Sequence, residues 1–194
     1  LIDFLKGNGF EIKEIELPNT KSAIATYYIL STAEASSNLA RFDGVRYGFT
    51  KRDFDLESMY KDTRNNGFGN EVKRRIILGT FVLSSGYYDA FYQKAQKMRT
   101  LIKNDFVNAF NEIDILITPT SPFLPFKIGE KIDDPLQMYL SDIFTVPMSL
   151  AGVPAFNIPS GFSKSGLPIG MQLVGNFFSE NSLFGLSEFI EKNR

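Results

Sequence analysis

The 194-residue sequence contains no cysteine and no histidine. Without cysteine there are no disulfides, no thiolate metal ligands and no cysteine nucleophile, a composition that suits a reducing compartment. Without histidine there is no Ser–His or Cys–His catalytic pair, and the commonest transition-metal ligand is missing. Acyl transfer involving this chain would therefore need a different base. The absence of tryptophan carries no functional information. Charge of one sign is also missing: 21 Lys and Arg stand against 22 Asp and Glu, a formal net charge of -1. Nothing in that balance creates a field to hold nucleic acid or an anionic membrane. The cluster Lys73-Arg74-Arg75 is the main local exception. No apolar run approaches the roughly 20 residues that span a bilayer, and the longest, such as residues 113–117, are strand-sized. The opening Leu1-Ile2-Asp3-Phe4-Leu5 has neither initiator Met nor signal-peptide character. It reads as the interior of a helix ending near Gly7 and Gly9, so the chain is expected to be part of a longer protein.

What is present is 43% hydrophobic, enough for the core of one globular domain, and residues 1–194 are expected to form one domain or part of one. Residues 11–16, stopped by Pro18, suggest an exposed or edge strand. Asn19 or Thr20 is placed to cap a helix over residues 21–40, whose small Ala and Ser side chains predict close packing between other elements. A turn and short extended piece follow over 41–48, then a short helix over 56–62 with Asp55 near its start, and a loop over 65–69. A second long helix is predicted over 70–83, broken by Ser84-Ser85-Gly86. Phe91, Ala95, Met98, Ile102, Phe106 and Ala109 recur at three- and four-residue steps, which predicts an amphipathic helix over 89–110. Residues 113–118 look like a central strand, ended by the Pro-rich stretch 119–125. A short helix over 136–145, strands over 155–159 and 169–174, and a last helix from Ser179 or Glu180 complete the pattern. Helices and strands are interspersed, so the class is α/β.

Several motifs have a functional and a structural interpretation. Asn66-Gly67-Phe68-Gly69-Asn70 would offer backbone N–H groups to a phosphate at a helix start, although glycine beside an N-cap is common in ordinary helices. Asp133-Asp134-Pro135 fits helix capping better than cation binding. Arg75 lies about 100 degrees from Ile76 on a helix and so borders the apolar face of Val72, Ile76, Gly79 and Leu83. Such an arginine serves either in a structural ion pair or on a ligand. Asp142 lies in the largely apolar Leu140-Ser141-Asp142-Ile143-Phe144, where a buried carboxylate would need a cationic partner from the protein or from a ligand ammonium. Tyr27 and Tyr28 present a similar choice, one packing while the other lends its hydroxyl.

Three stretches carry a resemblance. Residues 34–44, Glu-Ala-Ser-Ser-Asn-Leu-Ala-Arg-Phe-Asp-Gly, are similar to the A subunits of glutamyl-tRNA(Gln) amidotransferases, a branch of the amidase-signature family. So are residues 71–81, Glu-Val-Lys-Arg-Arg-Ile-Ile-Leu-Gly-Thr-Phe, with their continuation through 83–90. Leu150-Ala151-Gly152-Val153-Pro154 and residues 166–175 resemble the wider family. The resemblance runs from about Gly9 to the end of the chain and aligns with the family's C-terminal portion. It implies a mixed β-sheet covered by helices on both faces. It also implies glutaminase chemistry: a serine attacks the glutamine side-chain amide, a Ser–Lys pair moves the protons, and the ammonia passes to a B subunit that activates glutamyl-tRNA with ATP and Mg2+. A small C subunit clasps that assembly. A soluble translation enzyme of this kind would work in the bacterial cytoplasm or in an organelle.

The family's catalytic Lys and Gly/Ser-rich signature lie upstream of anything in this sequence. Ser36-Ser37 and Ser84-Ser85 lack the Gly-rich flanks that expose a nucleophile and build an oxyanion hole. The resemblance therefore implies no catalytic residue and no metal site in this chain, which alone is expected to be inactive. By resemblance, Arg75 matches the arginine for the glutamine α-carboxylate, whose geometry suits a planar guanidinium fork. Asp142 matches the aspartate for the α-ammonium, and Tyr27 a tyrosine whose hydroxyl lies near the reacting amide. The choices of Arg75 over Arg74 and Tyr27 over Tyr28 remain open at this point. Two other readings are part of another amidase-signature hydrolase acting on an apolar or aryl amide, and a non-catalytic segment that docks a partner subunit.

Overall fold

The computed structural model describes residues 1–46, 48–130 and 135–193, with backbone alone at 135–137. Helix α1 is Ile2–Gly7, and a 3-10 turn at Thr20–Ser22 leads into α2, Ala23–Leu39. Helices α3 (Leu56–Gly67) and α4 (Asn70–Leu83) follow, then a π-helical stretch, Tyr88–Gln93, that runs into α5, Lys94–Ala109. The remaining elements are β1 (Ile115–Pro119), α6 (Pro135–Leu140), α7 (Val146–Ala151), β2 (Ala155–Phe162), β3 (Pro168–Gly175) and α8 (Glu180–Asn193). Helices and strands are interspersed, as an α/β chain requires. The chain divides into two compact units: Leu1–Ile24 with Met98–Arg194, and Ala25–Lys97. Asp133 and Asp134 of the predicted cap lie outside the described residues, and Pro135 is the first residue of α6.

The first unit contains the sheet, in the order β1-β3-β2, with both pairings antiparallel. Ile115 stands opposite Gly175, and Ala155 opposite Val174. The strand expected at the centre, β1, is at one edge of this sheet; β3 is central. Burial follows that order: the last four residues of β3 are buried, whereas β1 is only partly so. Leu5 of α1, Ile158 and Leu173 of the strands, and Leu183 and Ile190 of α8 form the core cluster, with Phe4, Phe156 and Phe189 packed against it. Each of the five cluster side chains is nearly or fully removed from water, worth about 1.5–3 kcal/mol for a large aliphatic group.

Three expectations in this unit are corrected. Residues 11–16 form no strand. Ile12 and Ile15 are three apart, which places them on opposite faces of a strand, and Ile12 packs on the core from irregular chain while Lys13 pairs with Glu112. Asn19 provides no side-chain cap; its N–H and its Nδ2 each donate to the Asp105 carboxylate of α5 at 2.8 Å. The helix predicted over 136–145 stops at Leu140, and a turn over 141–145 separates it from α7.

In the second unit, Thr26, Leu30, Thr32 and Ala33 make up the buried side of α2, in keeping with its small-residue composition. Gly79 of α4 lies so close to that helix that a Cβ there would stand 1.9 Å from Thr32 O. Glycine weakens a helix interior by roughly 0.5–1 kcal/mol relative to alanine; here it permits backbone-to-backbone approach. Asp55 caps α3 by accepting from Ser58 N at 2.8 Å. That helix is longer than predicted, because Asn65-Asn66-Gly67 forms its last turn rather than a loop. Asn66 Nδ2 reaches back to Asp62 O at 2.7 Å. Arg64 then donates to Leu39 O, the last carbonyl of α2, and to Phe42 O in the turn beyond it.

Candidate functional site

Arg75 lies on α4 where that helix passes α2. Its guanidinium carbon is 5.8 Å from the centre of the Tyr28 ring, and the Tyr27 ring meets Tyr28 edge-on at 5.3 Å and 86°. Tyr28 and Thr32 of α2 meet Arg75 and Gly79 of α4, respectively. Glu71, one turn before Arg75, accepts from Arg75 Nε at 3.0 Å through Oε1 and from Arg74 Nη1 at 2.7 Å through Oε2. Burial alone would lower the Arg75 pKa, but the Glu71 hydrogen bond and charge, with Tyr28 and Tyr27 nearby, outweigh it and hold the group above its ordinary value. The guanidinium is therefore charged at any working pH.

The two arginines have different surroundings. The Arg75 side chain is 33% exposed and borders the two tyrosines; the Arg74 side chain is 49% exposed and meets the outer oxygen of Glu71. Arg75 thus combines access, an aromatic support and a fixed orientation. Tyr27 and Tyr28 are both half-buried. Tyr28 supplies the ring face under the guanidinium, and Tyr27 braces that ring.

Asp142 belongs to the other unit and is placed differently. It is exposed, in the turn between α6 and α7, rather than inside an apolar helix. Burial therefore does not force a cationic partner on it, and its assignment rests on the resemblance. The turn itself is well held. Asp142 O accepts from Thr145 N and Val146 N, each at 3.0 Å. Gln172, a buried residue of β3, donates through Nε2 to Phe144 O at 2.9 Å and to Thr118 Oγ1 at 3.2 Å. Arg99 Nε donates to Leu150 O at 3.0 Å near the C-terminus of α7, where cations complement the helix dipole. Gly152 then closes that helix in the left-handed region at φ 77°. The Leu-Ala-Gly-Val-Pro and Gly-Met-Gln-Leu-Val-Gly stretches are thus a helix stop and a strand whose glutamine holds the Asp142 turn.

The remaining sequence candidates have local roles. Ser36 Oγ donates to Ala33 O at 2.9 Å and Ser84 Oγ to Phe81 O at 2.7 Å, each closing its own helical turn. Lys73 Nζ bonds Asn65 O and Oδ1 at 3.1 Å, tying α4 to the end of α3 beside the Asn-Gly-Phe-Gly-Asn stretch. A cleft of about 1290 Å³ opens beside β1, lined by apolar residues such as Phe10, Ile115, Phe144 and Phe189 and by charged ones such as Lys13 and Glu112, and Asp142 does not line it. No helix among the described residues is long and apolar enough to cross a membrane. Pattern reasoning passed over Glu71 and Gln172. A Glu–Arg spacing of four on a helix was the available signal for the first; for the second, none exists short of knowing which strand faces the turn.

The amidase family model matches residues 1–184. The chain belongs to the amidase family. Among related amidase-family proteins, the glutamyl-tRNA(Gln) amidotransferase A subunit of Thermodesulfovibrio yellowstonii is 60% identical over 180 residues, 93% of this chain and 37% of that protein. Its counterpart in Chlorobium phaeobacteroides is 54% identical over 194 residues, 100% of this chain and 41% of that protein. This chain therefore spans about two fifths of the length of these relatives. The crystal structure of the A subunit from Thermotoga maritima matches with a TM-score of 0.71 at 40% identity, over 98% of this chain and 36% of that one. A solved amidase at 20% identity has the same TM-score and shares the fold. The amidase-type α/β fold and the likeness to the A subunits are both borne out.

Proposed function

We propose that this chain is the glutamine-recognising part of an amidotransferase A subunit, whose whole protein hydrolyses glutamine to supply ammonia for converting Glu-tRNA(Gln) to Gln-tRNA(Gln). The observation that carries this reading is the identity of 54% over all 194 residues to a protein of that name. Arg75 takes the glutamine α-carboxylate, Asp142 the α-ammonium, and the Tyr27 hydroxyl lies near the reacting amide. The charged, aromatic-backed and partly exposed guanidinium supports the first of these roles. The nucleophile and the Ser–Lys proton shuttle belong to the part of the protein upstream of Leu1. B and C subunits complete the assembly, and ATP with Mg2+ acts on the B subunit. The setting is the bacterial cytoplasm or an organelle.

Steady-state glutaminase kinetics of the full-length protein test the reading. Arg75→Ala and Asp142→Ala should each raise KM for glutamine about ten- to a hundredfold, the scale of one charge-assisted contact at about 1.5–3 kcal/mol. The isolated 194-residue chain should release no ammonia from glutamine. Unchanged KM in both variants would refute the assignment and favour an amidase acting on an uncharged amide, which has no use for Arg75.

A further inference from the structure

We infer that Glu71 is the positioning residue for Arg75, and that Arg74 is its charge balance. The inference rests on the proposed role of Arg75 and adds two residues to that site. Glu71, Arg74 and Arg75 stand at i, i+3 and i+4 of α4, on one face of the helix. The Glu71 carboxylate bridges the two guanidinium groups, one oxygen to each. Three consequences follow from that geometry.

First, the contact to Arg75 uses Nε. A guanidinium carries five N–H donors in a fixed plane. With Nε–H committed to Glu71, the four N–H bonds of the two Nη atoms remain, and they form the end-on fork that matches both oxygens of a carboxylate. Second, the plane is fixed by two supports in different directions: Glu71 at its inner edge and the Tyr28 ring at 5.8 Å from its carbon. A free arginine side chain samples many rotamers, and ordering it on binding would cost affinity. Here most of that ordering precedes the ligand. Third, the charges do not cancel. One carboxylate paired with two guanidinium groups leaves one positive charge in surplus. Arg74 satisfies the outer oxygen of Glu71, so Arg75 is held by an anion without being neutralised by it. A lone Glu–Arg pair would present a neutral unit to an incoming carboxylate.

The test is a mutant cycle in the full-length protein within its assembly, read as KM and kcat for glutamine. Glu71→Ala should raise KM about five- to tenfold, the scale of one hydrogen bond, with kcat within about twofold. Glu71→Gln keeps an acceptor for Arg75 Nε and should recover part of that loss. Arg74→Ala should raise KM by a smaller factor, and Arg74→Lys should restore it. In an Arg75→Ala background, Glu71→Ala should add nothing, because the group it positions is gone. All three residues are partly exposed, and thermal midpoints of the variants separate kinetic effects from misfolding. If Arg75→Ala raises KM while Glu71→Ala does not, or if the two effects add, positioning is overturned and the reading of Arg75 stands. If Arg75→Ala leaves KM unchanged, the site itself is misassigned and this inference falls with it.

Discussion

The two charged candidates are held by different physics. Arg75 is a helix residue whose surroundings are set by helical spacing: Glu71 is one turn back, and Tyr28 faces it from the helix alongside. Asp142 is a turn residue, exposed, and its backbone is fixed from a distance in sequence by Gln172 and by the N–H groups that open α7. The first arrangement fixes a side chain directly. The second fixes a stretch of backbone and leaves the side chain exposed. A recognition group on a helix should therefore be sensitive to how its helix packs, and one in a turn to the hydrogen bonds that set the turn.

The largest expected effect tests the helix half of this comparison. Gly79→Val would force a branched side chain into Thr32 O, where even a Cβ has only 1.9 Å. Backbone oxygen cannot rotate aside as a side chain does, so α2 and α4 must separate. The expected cost is about 3 kcal/mol or more, at the upper end of overpacking penalties. Chemical denaturation of the full-length protein measures it. Separation of the helices would also take the Tyr28 ring from Arg75, so surviving protein should show a raised KM for glutamine. A fully stable variant with normal kinetics would mean that Arg75 does not depend on helix packing.

The turn half is tested by Gln172→Leu. The substitution preserves size but leaves Phe144 O and Thr118 Oγ1 without their donor. Leaving such partners unsatisfied costs about 1–3 kcal/mol. Urea unfolding should show that loss, and any rise in KM for glutamine should add to that of Arg75→Ala but not to that of Asp142→Ala. The opposite pattern would break the comparison.

The same contrast explains what was legible in the sequence. The helix over 70–83 matches its predicted bounds, since periodicity, a glycine before it and Ser-Ser-Gly after it all agree. A helical wheel puts Arg75 on an apolar border, and it lies there on α4, beside the Tyr28 ring. Leu140, Ile143 and Phe144 imitate helical spacing, so the sequence places Asp142 inside a helix. The chain leaves the α-helix there because the bonds close at three residues rather than four, from Ser141 N to Met138 O, Asp142 N to Tyr139 O and Ile143 N to Leu140 O, a local tightening that the apolar spacing does not show. Strand order was illegible for a related reason: the apolar run 113–117 indicates burial but not how many neighbours a strand has. What the sequence could not supply in either unit was the partner across space, Tyr28 for Arg75 and Gln172 for the Asp142 turn.

The smallest expected effect concerns α3, whose Arg64 closes the end of α2. Asp55 caps α3, and the backbone N–H of Ser58, with its hydroxyl and Glu57 N–H assisting against a small desolvation effect, lowers the Asp55 pKa below its ordinary 3.8. A carboxyl whose pKa is depressed by folding stabilises the native state above its unfolded value and loses that contribution as pH falls through the native value. Asp55→Ala should therefore lower the thermal midpoint slightly and by a constant amount between about pH 5 and 7, above the ordinary carboxylate range near 4. The difference from the parent should shrink as pH drops below 3.8 toward the lowered native value. Asp55→Asn separates charge from capping, because asparagine also accepts from the N3 backbone N–H but does not titrate. Its midpoint should lie close to the parent at neutral pH. An Asp55→Ala difference that persists undiminished at low pH would show that the side chain contributes through packing, and that the helical unit is held by contact alone.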